Sequence, residues 1–231
     1  MEAILKILIV SLFSYLLGSF PTAVIISKRF FGFDIREKGS GNMGSTNAFR
    51  VLGWKWGLTV QVIDILKGVL AVVLIAPVIA NGISFPNTTG FENITIVKII
   101  AGISAILGHV LSVFVGFRGG KGINTAAGMM VAILPVDVSI ALGIFILAVI
   151  FSGYVSLGSI AAAFTLPSSL IVRYNLFHVN IPNYEILVYF SFLITLLVIY
   201  THRSNIKRLL SGQENRFKNL HLIKIFGKAD K

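Results

Sequence analysis

The chain has no cysteine, four histidines and only nine acidic residues among 231, and charged residues make up 13% of it. Without cysteine there is no disulfide framework and no thiolate ligand, and no Cys/His spacing of the zinc kind is present. A metal site is therefore not expected. Scarce charge beside 55% hydrophobic residues and a mean hydropathy of +0.87 excludes an ordinary soluble domain. What charge exists leans one way, since twenty Lys and Arg give a formal net charge of +11. In so apolar a chain, basic residues orient loops and attract anionic headgroups or substrates. A lipid bilayer is the expected partner, and nucleic acid is not. No internal repeat, low-complexity tract or linker divides the chain.

A bilayer-crossing helix needs roughly 20 mostly apolar residues. By that ruler spans are expected at 3–26, 56–79, 96–115, 157–172 and 186–200, with 123–151 forming either one long crossing or two short ones. The "PVD" at positions 135–137 favours the break. Basic residues supply an independent test, because they gather in cytoplasmic loops. Seven spans with the N-terminus outside put Lys28, Arg29, Arg36, Lys38, Arg50 and Lys55 inside, then Arg118 and Lys121, then the C-terminal tail. Six spans would send that tail, with Arg203, Lys207, Arg208, Arg216, Lys218, Lys224, Lys228 and Lys231, to the opposite face from the other basic loops. The expected fold is an all-α integral membrane protein of seven transmembrane helices with a cytoplasmic C-terminus. Residues 1–216 form the membrane domain and 217–231 a basic cytoplasmic tail. The first segment resembles a secretory signal but runs on through Gly18 and Pro21 without a clear cleavage site, so it reads as a span.

Two glycine-rich loops invite nucleotide readings that their context rejects. "GSGNMGSTN", residues 39–47, has dinucleotide-loop spacing but no buried strand before it and no strand-helix-strand unit around it. In "GFRGGKGIN", residues 116–124, the first glycine is one residue too close to "GK", and Gly122 stands where a phosphate loop needs Ser or Thr. The underlying physics survives: glycines let backbone N–H groups converge on an anion, and Lys121 or Arg50 adds countercharge. A third polar cluster, "THRSNIKRLLSGQENRF" at 201–217, begins where the last span ends. His202 and Asn205 share a face there if the helix continues. A fourth, "GYVSLGS" at 153–159, joins the fifth and sixth spans. Seven spans put all four on the cytoplasmic side, so a phosphate-bearing substrate at that face is expected.

These segments, in this order, resemble the bacterial acyl-phosphate-dependent glycerol-3-phosphate acyltransferase family. "GSGNMGSTNAFRVLG", "GHVLSVFVGFRGGKG" and "HRSNIKRLLSGQE" are similar to its three motifs, and "DILKG" and "YVSLGS" to further segments, from about the first span through Arg216. The resemblance implies transfer of a fatty acyl group from acyl phosphate to glycerol-3-phosphate, giving lysophosphatidic acid and inorganic phosphate, the first acylation step of phospholipid synthesis. It implies the cell inner membrane, an active site facing the cytoplasm, and no cofactor. Carried over by position, it makes Ser40, Arg50, Lys121, His202 and Asn205 catalytic. It makes Gly41, Asn42, Gly44, Thr46, Asn47, Gly119, Gly120, Gly122 and Ser159 substrate-binding, and Glu214 a structural support. Ser112, Arg118 and Thr201 depart from it, standing where proline, lysine and arginine are common. The other acyltransferase class is excluded, because no histidine is followed five residues on by aspartate.

The chemistry fits that inventory. Acyl phosphate is an activated mixed anhydride, so neither a protein nucleophile nor a metal is obligatory, and the protein must position substrates and neutralise two phosphates. His202 or a substrate phosphate oxygen is the expected acceptor of the hydroxyl proton. Several polar residues read as structural instead. Asp64 and Lys67, three apart, form a self-neutralising pair within the membrane. Lys98 and Arg173 snorkel to the outer surface. His109 reads equally as helix packing or as a site wall, and Trp54 and Trp56 as interface anchors. The alternative function is a transporter of a phosphorylated metabolite, which would want midplane polar sites and internal repeats.

Overall fold

A computed structural model describes residues 1–89 and 91–216, and these form helices, turns and irregular segments without a strand. Their contacts divide the chain into two compact units, Met1–Leu134 and Pro135–Lys231. The basic tail expected at 217–231 lies outside the described residues.

The first unit runs α1 (Glu2–Ser19), α2 (Thr22–Phe31), a 3-10 turn (Ile35–Glu37), α3 (Ser45–Val51) and α4 (Trp54–Leu70). A π-helical turn (Ala71–Ile75) leads to α5 (Ala76–Ile79), then α6 (Asn93–Val110), a 3-10 turn (Val113–Val115) and α7 (Ile123–Ile133). The single helix expected at 3–26 is thus two. Pro21 has no N–H to donate, and its ring opposes a continuous ladder, so α1 stops at Ser19 and α2 starts at Thr22. The exposed ladder is repaired locally: the Phe20 carbonyl accepts from the Thr22 amide at 3.0 Å and from Lys67 Nζ at 2.6 Å. Pro77 explains the π turn in the same way, since its ring would crowd the carbonyl four residues back in a regular helix.

Lipid tails are as apolar as leucine, so helices in a bilayer hold together by close van der Waals packing and internal hydrogen bonds. The first unit uses glycine for this. A Cβ on Gly18 of α1 would overlap the Ala105 carbonyl of α6, and one on Gly108 of α6 would overlap the Tyr15 carbonyl of α1. Between α4 and α7 the same reciprocity holds, Gly68 lying on Thr125 and Gly128 on Ile65. The pair read from spacing is present, with Lys67 Nζ 2.6 Å from Asp64 Oδ1 and both side chains buried.

The second unit holds α8 (Pro135–Ser152), α9 (Val155–Asn175), α10 (Tyr184–Thr201) and α11 (Arg203–Leu210). The "PVD" break is real, with α7 ending at Ile133 and Pro135 opening α8. Asp137, wholly buried in the first turn of α8, accepts from Arg173 NH1 at 2.5 Å and from Ser169 Oγ at 2.8 Å. Arg173 therefore does not simply snorkel. A carboxylate on the neighbouring helix holds its guanidinium, because an unpaired Asp137 at that depth would be costly. Pro167 lies inside the continuous α9 and lacks the N–H that would satisfy Ala163, whose carbonyl instead lies 2.7 Å from the Thr195 hydroxyl of α10.

Six helical segments among the described residues are long and apolar enough to cross a membrane, namely Glu2–Phe31, Trp54–Ile79, Asn93–Val115, Pro135–Ser152, Val155–Asn175 and Tyr184–Thr201. The chain is a multi-pass membrane protein. The apolar α7 differs, because its 11 residues span about 16 Å, roughly half of a hydrocarbon core. Six full-length spans and one short helix therefore stand where seven spans were expected.

Candidate active site

The first motif is built on a charged turn and an amide. Beyond α2, Asp34 caps the turn Ile35–Glu37 by accepting from the Arg36 amide at 3.0 Å. Its carboxylate also takes Arg36 Nε at 3.0 Å, Arg36 NH2 at 2.7 Å and Lys28 Nζ at 3.2 Å. The Arg36 hydrogen bond outweighs burial and holds the Asp34 carboxyl far below the usual carboxylate range, while Asp34 raises Arg36 in return. Arg36 NH1 also donates to the Val115 carbonyl at 3.1 Å, fastening this loop to the turn that precedes the second glycine loop.

Asn47 organises the loop itself. Its buried side chain accepts from the Ser40 amide at 2.9 Å and aims Nδ2 at the carbonyls of Asn42 (2.9 Å), Lys38 (3.0 Å) and Ile35 (3.3 Å). Gly39 lets the backbone pass this amide: its φ is +64°, and a Cβ there would overlap Asn47 Oδ1. The amides of Gly41 and Gly44 are also committed, to the Lys38 carbonyl at 3.2 Å and to Asn42 Oδ1 at 2.8 Å. This corrects the expectation that these glycines turn free N–H groups toward an anion. The loop spends them on its own shape and leaves Ser40 and Arg50 exposed, with Thr46 half-buried.

The second motif closes α6. Gly119 donates to the Val110 carbonyl at 3.1 Å and Gly120 to the His109 carbonyl at 3.0 Å, so both amides cap that helix and are likewise not turned to an anion. Gly122, at φ +74°, starts α7, with half-buried Lys121 just before it. Asn124, in the first turn of α7, donates to Ser45 Oγ at 2.8 Å and joins the second motif to the first. Ser112 hydrogen-bonds the Ser19 carbonyl at the end of α1 at 2.5 Å, which gives this departure from the family pattern a local role, and Arg118 is exposed. Asp34, Arg36, Ser45 and Asn124 were not singled out as site residues from the sequence. The last pair is separated by 79 positions, and no local pattern reveals it.

In the second unit α10 ends at Thr201 and α11 begins at Arg203, so the helix does not continue unbroken but turns at His202. His202 and Asn205 are both buried. His202 Nδ1 lies 2.9 Å from the Val198 carbonyl. A carbonyl only accepts, so this contact assigns the proton to Nδ1 and, in the neutral ring, the lone pair to Nε2. Glu214 collects Ser156 Oγ at 2.9 Å, Asn205 Nδ2 at 2.7 Å and Arg208 Nε at 2.7 Å. Burial pushes its carboxyl upward, but those three donors together outweigh it and leave the group below the usual glutamate range. Glu214 thus ties the start of α9 to α11 through their side chains. Ser159 donates within its own helix to Val155 at 3.1 Å, and Thr201 to Val198 at 3.1 Å. Among the described residues no group of three His, Asp or Glu could hold a metal.

Comparison with known proteins gives a consistent result. The family description that matches, over residues 8–212, is glycerol-3-phosphate acyltransferase. A protein of that name from Chlorobium phaeobacteroides is 46% identical over 222 residues, covering 89% of this chain and 94% of its own. One from Chlorobaculum tepidum is 45% identical over 228 residues, covering 92% and 97%. The fold is similar to a crystal structure of PlsY (YgiH), an integral membrane glycerol 3-phosphate acyltransferase, in its glycerol 3-phosphate form. The TM-score is 0.76 at 34% identity, over 96% of this chain and 99% of that one. Against the lysophosphatidic acid form of the same protein the TM-score is 0.75.

Proposed function

The chain belongs to the glycerol-3-phosphate acyltransferase family, and from that premise we propose that it transfers a fatty acyl group from acyl phosphate to glycerol-3-phosphate. The products are lysophosphatidic acid and inorganic phosphate. A glycerol hydroxyl oxygen attacks the acyl carbonyl carbon, the bond from that carbon to the phosphate oxygen breaks, and phosphate leaves with the electron pair. The hydroxyl proton passes to His202 Nε2 or to a phosphate oxygen of the substrate. The observation that carries the reading is the inward commitment of the first loop: its amides are bound to Asn47, Asn42 and Lys38, while Ser40 and Arg50 remain exposed.

Arg50 and Lys121 neutralise phosphate, and Ser40 donates to it. Asn42, Thr46 and Ser159 supply polar walls. Gly41, Gly44, Gly119, Gly120 and Gly122 act through backbone shape, and Asn47 through the loop it holds. Asn205, fastened by Glu214, acts with His202. The chain crosses the inner membrane seven times, α7 making a short seventh passage, with the N-terminus outside and the motif loops cytoplasmic. The basic residues of those loops support this orientation.

The test is product formation by detergent-purified protein given labelled glycerol-3-phosphate and either palmitoyl phosphate or palmitoyl-coenzyme A. Lysophosphatidic acid is expected from palmitoyl phosphate alone. His202→Ala should lower turnover about 100-fold or more, the usual scale for loss of a proton acceptor. Unchanged turnover in that variant assigns the proton to the substrate phosphate. Product from the coenzyme A ester alone, or none from a folded protein, overturns the reading.

A further inference from the structure

A cluster of three buried polar groups meets the second glycine loop through one of them, His109, and the proposed chemistry uses none of the three. Asp64 and Lys67 of α4 and His109 in the last turn of α6 all have side chains 3% exposed or less. Lys67 Nζ reaches both Asp64 Oδ1 and the Phe20 carbonyl at 2.6 Å, and the Thr22 hydroxyl lies 3.4 Å from the same Asp64 oxygen. The pair therefore fixes α4 to the break in the first span. Asp64 Oδ1 also faces His109 Nδ1 at 3.9 Å, and that nitrogen has no hydrogen-bond partner among the described residues.

The other edge of the imidazole touches the loop. A Cβ on Gly120 would overlap His109 Nε2, and one on Gly119 would overlap the His109 carbonyl. The ring stands between a charged pair that cannot easily move and the backbone one residue before Lys121. Packing sets its place, since no hydrogen bond from Nδ1 does. Glycine at position 120 is the complement of that ring, because the imidazole fills the volume a side chain would need.

We propose that His109 is a positioning residue for Lys121: backed by Asp64 and Lys67, its ring sets the spacing between α6 and the Gly119–Gly120 backbone, and through it the place where Lys121 meets the phosphate of glycerol-3-phosphate. The proposal rests on the phosphate-binding role of Lys121 given above.

The experiment is a size-complementation cycle on the full chain. Wild type, His109→Ala, His109→Gln, Gly120→Ala and the double variant of His109→Ala with Gly120→Ala are assayed with palmitoyl phosphate and glycerol-3-phosphate, and each melting temperature is recorded. His109→Ala should raise the KM for glycerol-3-phosphate about tenfold, leaving the KM for palmitoyl phosphate and the melting temperature near wild type. His109→Gln, with similar reach, should recover most of that loss. Gly120→Ala should be the most damaged single variant, and the double variant should regain activity relative to it, because the new methyl enters vacated space. If His109→Ala unfolds, the Gly120→Ala and His109→Gln pair still reads the same contact. Additive losses, or equal changes in both KM values, overturn the proposal. A wild type that makes no lysophosphatidic acid overturns the functional reading instead. The cycle is then read from the melting-temperature rise with glycerol-3-phosphate alone, where additivity again counts against His109.

Discussion

Each unit fastens a motif loop through one side chain, and the two fasteners are chemically opposite. In the first unit Asn47, a neutral amide 1% exposed, both accepts and donates, and all its partners are backbone groups of the loop that bends around it. In the second unit Glu214, an anion, only accepts, and its partners are side chains from the start of α9 and from α11. An amide suits a loop closing on itself, because such a loop offers N–H and carbonyl groups together. A carboxylate suits the gathering of separate elements, because each contributes a donor. The difference also separates their responses to acid, since only one of them titrates.

The sharpest way to break the comparison is Asn47→Ala. It strands the Ser40 amide and several carbonyls, for an expected cost of about 2–4 kcal/mol in stability, with acyl transfer falling about 100-fold or more. Thermal melts should show the same deficit at every pH, and a deficit that closes toward acid would show that Asn47 acts through a titrating neighbour. Glu214→Gln comes next, with an expected loss of about 1–2 kcal/mol at neutral pH. Because the folded Glu214 carboxyl lies below its ordinary value of 4.5, its contribution is complete above that pH and fades as pH falls through the lowered folded value. The gap between wild type and Glu214→Gln should therefore close on the acid side, and a gap that widens there contradicts the assignment. Ser156→Ala is the mildest, removing one of three donors for about 0.5–1.5 kcal/mol. Its melting curve should depart from wild type less than that of Glu214→Gln, and an equal loss would mean that the hydroxyl alone holds the carboxylate.

Much of the architecture was legible because it is periodic or local. Span positions followed from apolar length, the break before α8 from Pro135, and the Asp64–Lys67 pair from helical spacing. What was hidden depends on contacts far apart in the chain. Arg173 read as a snorkelling residue because Asp137, its partner, lies 36 positions earlier on another helix. Gly41, Gly44, Gly119 and Gly120 read as an anion cradle because residue type shows that an amide can be approached, not that a carbonyl already occupies it. Asn47 read as a substrate wall for a related reason: polar residues in a glycine loop look alike until the direction of each side chain is known. The first span read as unbroken because Pro21 near a helix end is compatible with either a kink or a stop.

The donor that Pro167 withholds inside α9 bears on the order in which the protein is made. Ala163 loses its usual donor within its own helix, and the Thr195 hydroxyl lies within hydrogen-bonding distance of its carbonyl from a helix that leaves the ribosome later. Between those two moments α9 carries an unanswered carbonyl, which hydrocarbon penalises and water does not. The hairpin of α9 and α10, rather than either helix alone, is then the smallest piece of this unit that enters lipid with that carbonyl answered.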